Sequence, residues 1–330
     1  MKHLHLVIPS LFPPQEIAKE VCAGLQLPAL EKILARGNMS TSLAETLEDW
    51  LCATFGAQSV APVSAAADGV EVGAGYWLCA DPVNLQLQHA QMLVLPDVMP
   101  SQEDADALCA RLNEHFAGMG FHFVAPHPQR WYVQLEADLQ MTTSPLQQVA
   151  WCDAKFHQPQ GTDALRWQRI VTEVQMLLYA HPLNQEREAR GELLINSLWF
   201  WGGGRATHLK KAFDAAGGDS GLAGAFAQAA GVPQIESLQA MLDGKHENGL
   251  WVSDVPREAL QRGDLYLWRA AVQKAEQELV GPLLKSLQAG RLQQLTVEVL
   301  QEDGSQRYEF TRGDAWKLWR SVRPLARYAV

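Results

Sequence analysis

Short apolar runs alternate with amphipathic segments along most of the chain, and this alternation limits the folds open to it. Residues 4–8 predict a strand that ends at Pro9, and residues 27–37 predict a helix with proline near its start and glycine at its end. A second helix is expected over 43–55, whereas the small and polar residues 60–72 predict a loop. Because strands that alternate with helices favour a mainly parallel sheet, we expect an α/β fold.

The pattern changes near residue 81. Residues 90–95 predict a strand, and Ser101 begins a helix through His115 that has the spacing of a capping box. Strands are expected over 121–125 and 131–135. Together these elements predict a small β-α-β-β unit.

The C-terminal half returns to the alternating pattern. Two apolar runs near the end of the chain predict a hairpin with Asp303 and Gly304 at its turn. The expected helices are 167–179, one near Leu209, 222–230 and 265–287, and the expected strands are 195–201, 250–252, 295–300 and 308–310.

The run 181–205 combines a polar segment, an apolar strand and three consecutive glycines, Gly202, Gly203 and Gly204. Glycines at the end of a strand let the backbone approach an anion, and a helix starting just after them would point free amides at a phosphate. The sequence lacks the lysine and hydroxyl residue that complete a P-loop. A plain structural turn is the alternative.

Composition is that of a globular protein, with 47% hydrophobic and 19% charged residues over 330 positions. This length fits one large or two modest domains. The net charge of -10 argues against general nucleic-acid binding. With neither a signal peptide nor an apolar run of roughly 20 residues in the sequence, we predict a cytoplasmic protein without membrane contact.

The C-terminal segment departs from the acidic average of the chain. Two tryptophans, Trp316 and Trp319, lie among five basic residues. This segment is either a docking site for a protein partner or an anionic surface, or a terminal helix whose tryptophans pack on the core. The basic residues are Arg312, Lys317, Arg320, Arg323 and Arg327.

Four separated segments resemble one family in the same order. Residues 28–37 are similar to a helix of the alkaline phosphatase superfamily, and 181–204 resemble the His-Pro-x-Asn-x-x-Arg signature of archaeal-type cofactor-independent phosphoglycerate mutases. Residues 101–136 are similar to that family's inserted domain, and 276–284 to a helix before its last metal motif. The chain also resembles a degenerate bacterial branch labelled regulatory protein of the RpfE type.

This resemblance implies a fold and a chemistry. It implies a three-layer sandwich with an alkaline phosphatase-like core of residues 1–80 and 155–330, and an inserted α+β domain of residues 81–154. Mutases of this family use two divalent metals, held by aspartate and histidine, and a serine nucleophile.

Several of the implied chemical residues are missing. Pro9-Ser10 stands where the first metal-binding aspartate is implied, no Gly-Ser-Asp motif lies near Thr46, and no histidine follows His246. His3 and His5 share a strand face and are the best candidates among the remaining histidines for binding a metal. We nevertheless predict no catalytic residue, no metal ligand and no cofactor.

Some polar positions of the signature persist and predict binding of an anionic small molecule in the ancestral cleft, although Trp201 replaces an arginine of the signature. A purely structural role is the alternative for Asn184 and Arg187. We therefore predict a non-catalytic regulatory or binding protein, with a phosphotransferase or phosphatase that uses a relocated metal site as the alternative. The candidate ligand-binding residues are Arg130, Asn184, Arg187, Gly202, Gly203, Gly204 and Arg205.

Overall fold

The computed structural model describes residues 1–43, 45–301 and 304–329. The chain divides into two compact units. Unit 1 comprises Met1–Phe55 and Leu209–Val330, and unit 2 comprises Gly56–His208. The segment predicted as an inserted domain, 81–154, lies within unit 2, which also takes in 56–80 and 155–208.

Strands in the described residues form a sheet in each unit and one further short pair. In chain order they are β1 (His3–Val7), β2 (Asn38–Thr41), β3 (Tyr76–Gln88), β4 (Gln91–Leu95), β5 (Phe121–His127), β6 (Arg130–Leu135), β7 (Met141–Thr142), β8 (Gln160–Gly161), β9 (Ser197–Arg205), β10 (Ala215–Gly218), β11 (Asn248–Val252), β12 (Gln294–Val299) and β13 (Gln306–Thr311).

Helices cover both units. They are α1 (Gln15–Val21), α2 (Pro28–Arg36), α3 (Leu47–Phe55), α4 (Ala61–Ala67), α5 (Gln102–His115), α6 (Leu146–Val149), α7 (Ala164–Tyr179), α8 (Pro182–Ala189), α9 (Gly221–Ala229), α10 (Leu238–Asp243), α11 (Val255–Gln261), α12 (Leu265–Ala275) and α13 (Gly281–Gln288). A π-helical turn, Glu276–Val280, joins α12 to α13.

Unit 1 contains the parallel sheet that the alternating pattern predicts. Its strand order is β10-β11-β1-β12-β13-β2, and β10, β11, β1 and β12 run parallel. β13 pairs antiparallel with β12 and with β2. The predicted hairpin is therefore present as β12 and β13, although Asp303 at its expected turn lies outside the described residues.

Helix α2 shows how the sequence sets one side of this sheet. Pro28 begins the helix without losing a hydrogen bond, because the first amides of a helix have no partner within it. The carboxylate of Glu276 accepts hydrogen bonds from the next two amides, those of Ala29 at 2.7 Å and Leu30 at 2.8 Å. The helix then buries an apolar stripe that includes Ile33 against the core under β1.

Unit 2 is built on an antiparallel sheet. Its strand order is β4-β3-β6-β5, with β9 paired to β3. The predicted capping box is present at α5, where Asp104 N donates to Ser101 Oγ at 3.0 Å and Ser101 N donates to Asp104 Oδ2 at 3.3 Å. No helix in the described parts of the chain combines the length and apolar character that a membrane span requires.

Three predicted elements are wrong. Residues 60–72, expected as a loop, contain α4, in which proline near the start and a run of alanines favour a helix. The helix expected near Leu209 is absent, since residues 206–214 have no helical turn. Residues 312–329 form short 3-10 turns, not a terminal α-helix.

Candidate functional site

The candidate site lies along the side of the six-stranded sheet formed by the carboxyl ends of its parallel strands, here called the carboxyl edge. Asp219 follows β10, Ser253 and Asp254 follow β11, and Ser10 follows β1 in the left-handed region with φ 52°. This carboxyl edge is where open α/β sheets bind ligands. Asp219 ties two strand ends together, because it accepts hydrogen bonds from Ser253 Oγ at 3.2 Å and from the Asp254 amide at 2.5 Å.

A buried arginine bridges two carboxylates at this edge. Arg257, on α11, donates from Nη1 to the two oxygens of Glu48 at 2.9 and 3.2 Å and from Nη2 to Asp254 Oδ2 at 2.6 Å. Only 2% of the Glu48 side chain and 12% of the Arg257 side chain are exposed. The guanidinium therefore occupies the space between the two carboxylates.

The surroundings of this bridge favour the charged form of Arg257. Burial by itself lowers the pKa of Arg257, but Glu48 and Asp254 outweigh it and raise that pKa overall. Burial raises the pKa of Asp254, and although Arg257 opposes this effect, Asp219 adds to it, so that the net change is upward. The arginine thus stays charged and serves as the fixed cation of the site.

Sequence reasoning did not single out these residues. The available signal was a carboxylate within two residues of the end of each of two short strands, at Asp219 and Asp254. Asp264, another carboxylate of this part of unit 1, caps α12 by accepting a hydrogen bond from the Leu267 amide at 2.8 Å.

The described side chains do not assemble the two-metal donor set that the resemblance implies. Within residues 1–43, 45–301 and 304–329, no group of three or more His, Cys, Asp or Glu side chains is arranged to hold a metal ion. His3 Nε2 lies 2.8 Å from Thr296 Oγ1, and His5 Nε2 lies 2.7 Å from Glu298 Oε2. Both histidines thus bond to side chains of the neighbouring strand β12.

The three glycines lie inside strand β9, not in a turn after it. Gly202 has φ +65°, beside a register shift between β3 and β9. A Cβ on Gly203 would lie 2.6 Å from the Tyr76 hydroxyl, and one on Gly204 would overlap Ser59 Oγ. The glycines therefore allow close packing within unit 2, and no helix follows them to complete a phosphate cradle.

Asn184 and Arg187 fix the chain where it enters β9. Asn184 Nδ2 donates to the carbonyls of Leu178 at 2.6 Å and Ile195 at 2.9 Å, and Asn184 Oδ1 accepts from the Ile195 amide at 2.9 Å. Arg187 Nε donates to the Leu193 carbonyl at 2.9 Å, and its side chain is 2% exposed. These contacts are consistent with a structural role for Asn184 and Arg187, which the sequence leaves as the alternative to ligand binding.

Arg130 and Arg205 each have a carboxylate partner of their own. Arg130 binds Asp68 through Nε at 2.8 Å and Nη2 at 2.7 Å, while Arg205 Nε donates to Asp138 Oδ1 at 2.8 Å. In the described part of the chain, no hydrogen bond joins either arginine to the other or to Asn184. Their predicted role in binding an anion stays a prediction.

A further polar contact was not foreseen from the sequence. Trp201 Nε1 donates to Asp81 Oδ2 at 2.6 Å, and both residues are buried. Burial raises the pKa of Asp81 to about 7, although the hydrogen bond from Trp201 opposes it. A carboxyl group that changes charge near neutral pH thus lies on β3, hydrogen-bonded to Trp201.

No family model and no curated protein matches this sequence. Among solved structures, the chain is similar to the PH0037 protein from Pyrococcus horikoshii, with 14% identity and a TM-score of 0.62 over 99% of this chain and 92% of that one. A second structural neighbour is a cofactor-independent phosphoglycerate mutase from Thermoplasma acidophilum, with 13% identity and a TM-score of 0.48 over 95% and 90% of the two chains. The likeness to PH0037 shows the fold.

Proposed function

We propose that this protein is a non-catalytic relative of the cofactor-independent phosphoglycerate mutases and acts as a regulatory or binding protein. The proposal includes the alkaline phosphatase-like three-layer core over 1–80 and 155–330, the inserted domain 81–154 and a place in the RpfE-type branch. Its support is the sequence resemblance together with the side chains at the carboxyl edge of the parallel sheet. The cytoplasmic location stays a prediction.

The observation that carries the proposal is the bridge from Glu48 through Arg257 to Asp254. A divalent metal held by these carboxylates would have to displace the guanidinium and leave a buried positive charge without partners. Arginine supplies donors in a fixed fork and offers neither an open coordination position nor a metal-activated nucleophile. Because Arg257 already supplies the positive charge between Glu48 and Asp254, this edge does not need a metal for stability.

Metal binding and turnover test this proposal directly. The full-length chain, stripped with a chelator, is titrated calorimetrically with Mn²⁺ and Zn²⁺ and assayed with 3-phosphoglycerate and p-nitrophenyl phosphate. We expect neither stoichiometric binding nor turnover. Stoichiometric binding with turnover, both lost in Asp254→Asn, would instead establish the alternative, a phosphotransferase or phosphatase with a relocated metal site.

A variant makes the test sharper. Arg257→Ala frees Glu48 and Asp254, so we expect at least a tenfold gain in Mn²⁺ affinity over the unchanged chain. Arg291→Ala removes an exposed arginine that lies 3.8 Å from Asp243, and we expect it to leave Mn²⁺ affinity unchanged. An Arg257→Ala protein that is folded by circular dichroism and gains no Mn²⁺ affinity would contradict the assignment of Arg257 as the resident cation.

Binding of an anionic small molecule remains part of the proposal. Arg130 is the best candidate among the predicted residues because its guanidinium is half exposed while it binds Asp68. Inorganic phosphate and 3-phosphoglycerate are expected to raise the melting temperature, and Arg130→Ala is expected to abolish this rise. Arg111→Ala, at another exposed arginine of unit 2, serves as the matched control.

A further inference from the structure

The C-terminal segment 312–329, here called the strap, exposes large apolar side chains. Trp316 is 74% exposed, Leu318 70% and Trp319 79%. A contiguous set of large exposed apolar residues marks an interaction site more often than a chance feature of a surface. The strap therefore differs from the alternative in which its tryptophans pack on the core.

The strap is held in place by contacts of residues that follow both tryptophans. Arg320 Nη1 donates to the carbonyls of Arg36 at 3.1 Å and Gly37 at 2.6 Å. Further along, the Leu325 side chain is buried and its amide donates to Glu31 Oε1 at 3.0 Å. The tryptophans thus point outward from an anchored backbone, which lowers the entropic cost of binding a partner.

In the strap, two basic side chains face inward and the apolar rings face solvent, whereas an ordinary surface exposes its charged groups. Lys317 and Arg320 turn toward the body of unit 1, where Lys317 Nζ lies 2.5 Å from Asp314 Oδ1 and 3.1 Å from Asn38 Oδ1. The apolar rings take the outer face. Tryptophan together with arginine is the composition of binding hot spots.

The remaining strap arginines indicate the charge of the partner. Arg312, Arg323 and Arg327 are exposed, and no ion pair within the described residues holds any of them. A second copy of the chain seated symmetrically on this surface would bring these arginines against one another, which costs binding energy. An acidic partner complements them.

A cavity of about 710 Å³ adjoins the strap in unit 1. Leu325 and Arg327 of the strap line it, facing Leu25 and Leu27, and Lys19 lies on its wall. Its lining combines aliphatic side chains with charged ones, which are Lys19, Arg327 and the acidic Glu31. A concave and partly apolar site suits a protein segment better than a stacked base or a flat bilayer. Charge and shape together favour a peptide.

We propose that the strap and the adjoining cavity bind an acidic protein segment, which inserts an apolar side chain into the cavity and packs over Trp316 and Trp319. Its negative side chains face Arg323 and Arg327. This surface shares no residue with the Glu48–Arg257–Asp254 bridge, so its test does not depend on the proposed loss of catalysis.

The test selects a random peptide library displayed on phage against the immobilised full-length chain. Selected peptides are synthesised, and their affinities are measured by fluorescence anisotropy. We expect them to combine Asp or Glu with bulky apolar residues, and to bind at least tenfold more weakly to Trp316→Ala/Trp319→Ala and to Arg323→Glu/Arg327→Glu. A matched control, Tyr266→Ala, removes an aromatic side chain that is 89% exposed elsewhere in unit 1 and is expected to retain full affinity.

Other occupants give distinct results. The proposal would be overturned if phosphatidylglycerol vesicles or a 12-mer of uridine bind through the tryptophans while the binding of every selected peptide is unaffected by the tryptophan substitutions. A tryptophan-dependent dimer in light scattering would also overturn it, as would selected peptides that bind the double tryptophan variant as tightly as the unchanged chain. Because both rings are exposed, the tryptophan variant is expected to keep its melting temperature, which separates lost binding from lost folding.

Discussion

Asp81→Asn is expected to change how the stability of unit 2 depends on pH. Asp81 is 8% exposed, and burial raises its pKa from the ordinary value of 3.8 to about 7 despite the hydrogen bond from Trp201. Between these values the unfolded chain has lost the proton that the folded chain retains. The unfolded state is therefore favoured more strongly as pH rises through this range.

The size of the effect follows from the same two values. A pKa that rises from 3.8 to about 7 corresponds to about 4 kcal/mol, at about 1.4 kcal/mol for each tenfold change in proton affinity. This part of the stability is fully present below pH 4, falls steadily as pH rises and is lost above pH 7. Asparagine keeps an acceptor for Trp201 and has no proton to lose, so Asp81→Asn is expected to become the more stable chain at pH 8.

Urea denaturation at pH 4.5 and pH 8, followed by tryptophan fluorescence, measures this difference. The free-energy gap between Asp81→Asn and the unchanged chain should move by about 3 kcal/mol in favour of the variant between pH 4.5 and pH 8, since part of the change lies below pH 4.5. Asp138→Asn removes a half-exposed carboxylate of the same unit and is expected to produce no such change. Equal pH dependence in Asp81→Asn and the unchanged chain would refute the assignment of a buried, protonated carboxyl to Asp81.

Three further substitutions probe the internal contacts. Arg257→Leu removes the cation between the buried Glu48 and the partly buried Asp254 and is expected to cost about 3–5 kcal/mol in urea denaturation, whereas Arg291→Leu at an exposed site should cost under about 0.5 kcal/mol. Gly204→Ala drives a methyl group into Ser59 and is expected to cost about 1–3 kcal/mol, part of which Ser59→Ala should restore in a double-mutant cycle. Asn184→Ala leaves buried backbone groups without partners, so we expect a loss of about 1–3 kcal/mol and faster hydrogen exchange where the chain enters β9.

Local signals predicted much of the fold. The capping box at Ser101 and the proline at position 28 identify helix starts, because both act on amides within one turn. The apolar runs at β1 and β11 identify strands of the parallel sheet. These features need no knowledge of distant residues.

The candidate site was harder to predict because its residues are distant in sequence. Glu48 and Arg257 are 209 positions apart and meet only once unit 1 has folded. The same limit applies to the glycines of β9, where Ser59 and Tyr76 supply the contacts that make glycine necessary. A triple glycine predicts close approach, but its sequence does not say whether a ligand or the chain itself comes close.

Trp201 and Arg257 each have buried polar partners that the sequence alone did not indicate. Trp201 stands where the signature has an arginine, and its indole N–H meets a carboxyl group that burial keeps largely protonated below pH 7. An arginine there would favour the charged carboxylate, so tryptophan and a raised pKa are mutually consistent. At the sheet edge, Arg257 supplies positive charge between two carboxylates. Both contacts give partners to polar or charged groups that burial would otherwise leave unpaired.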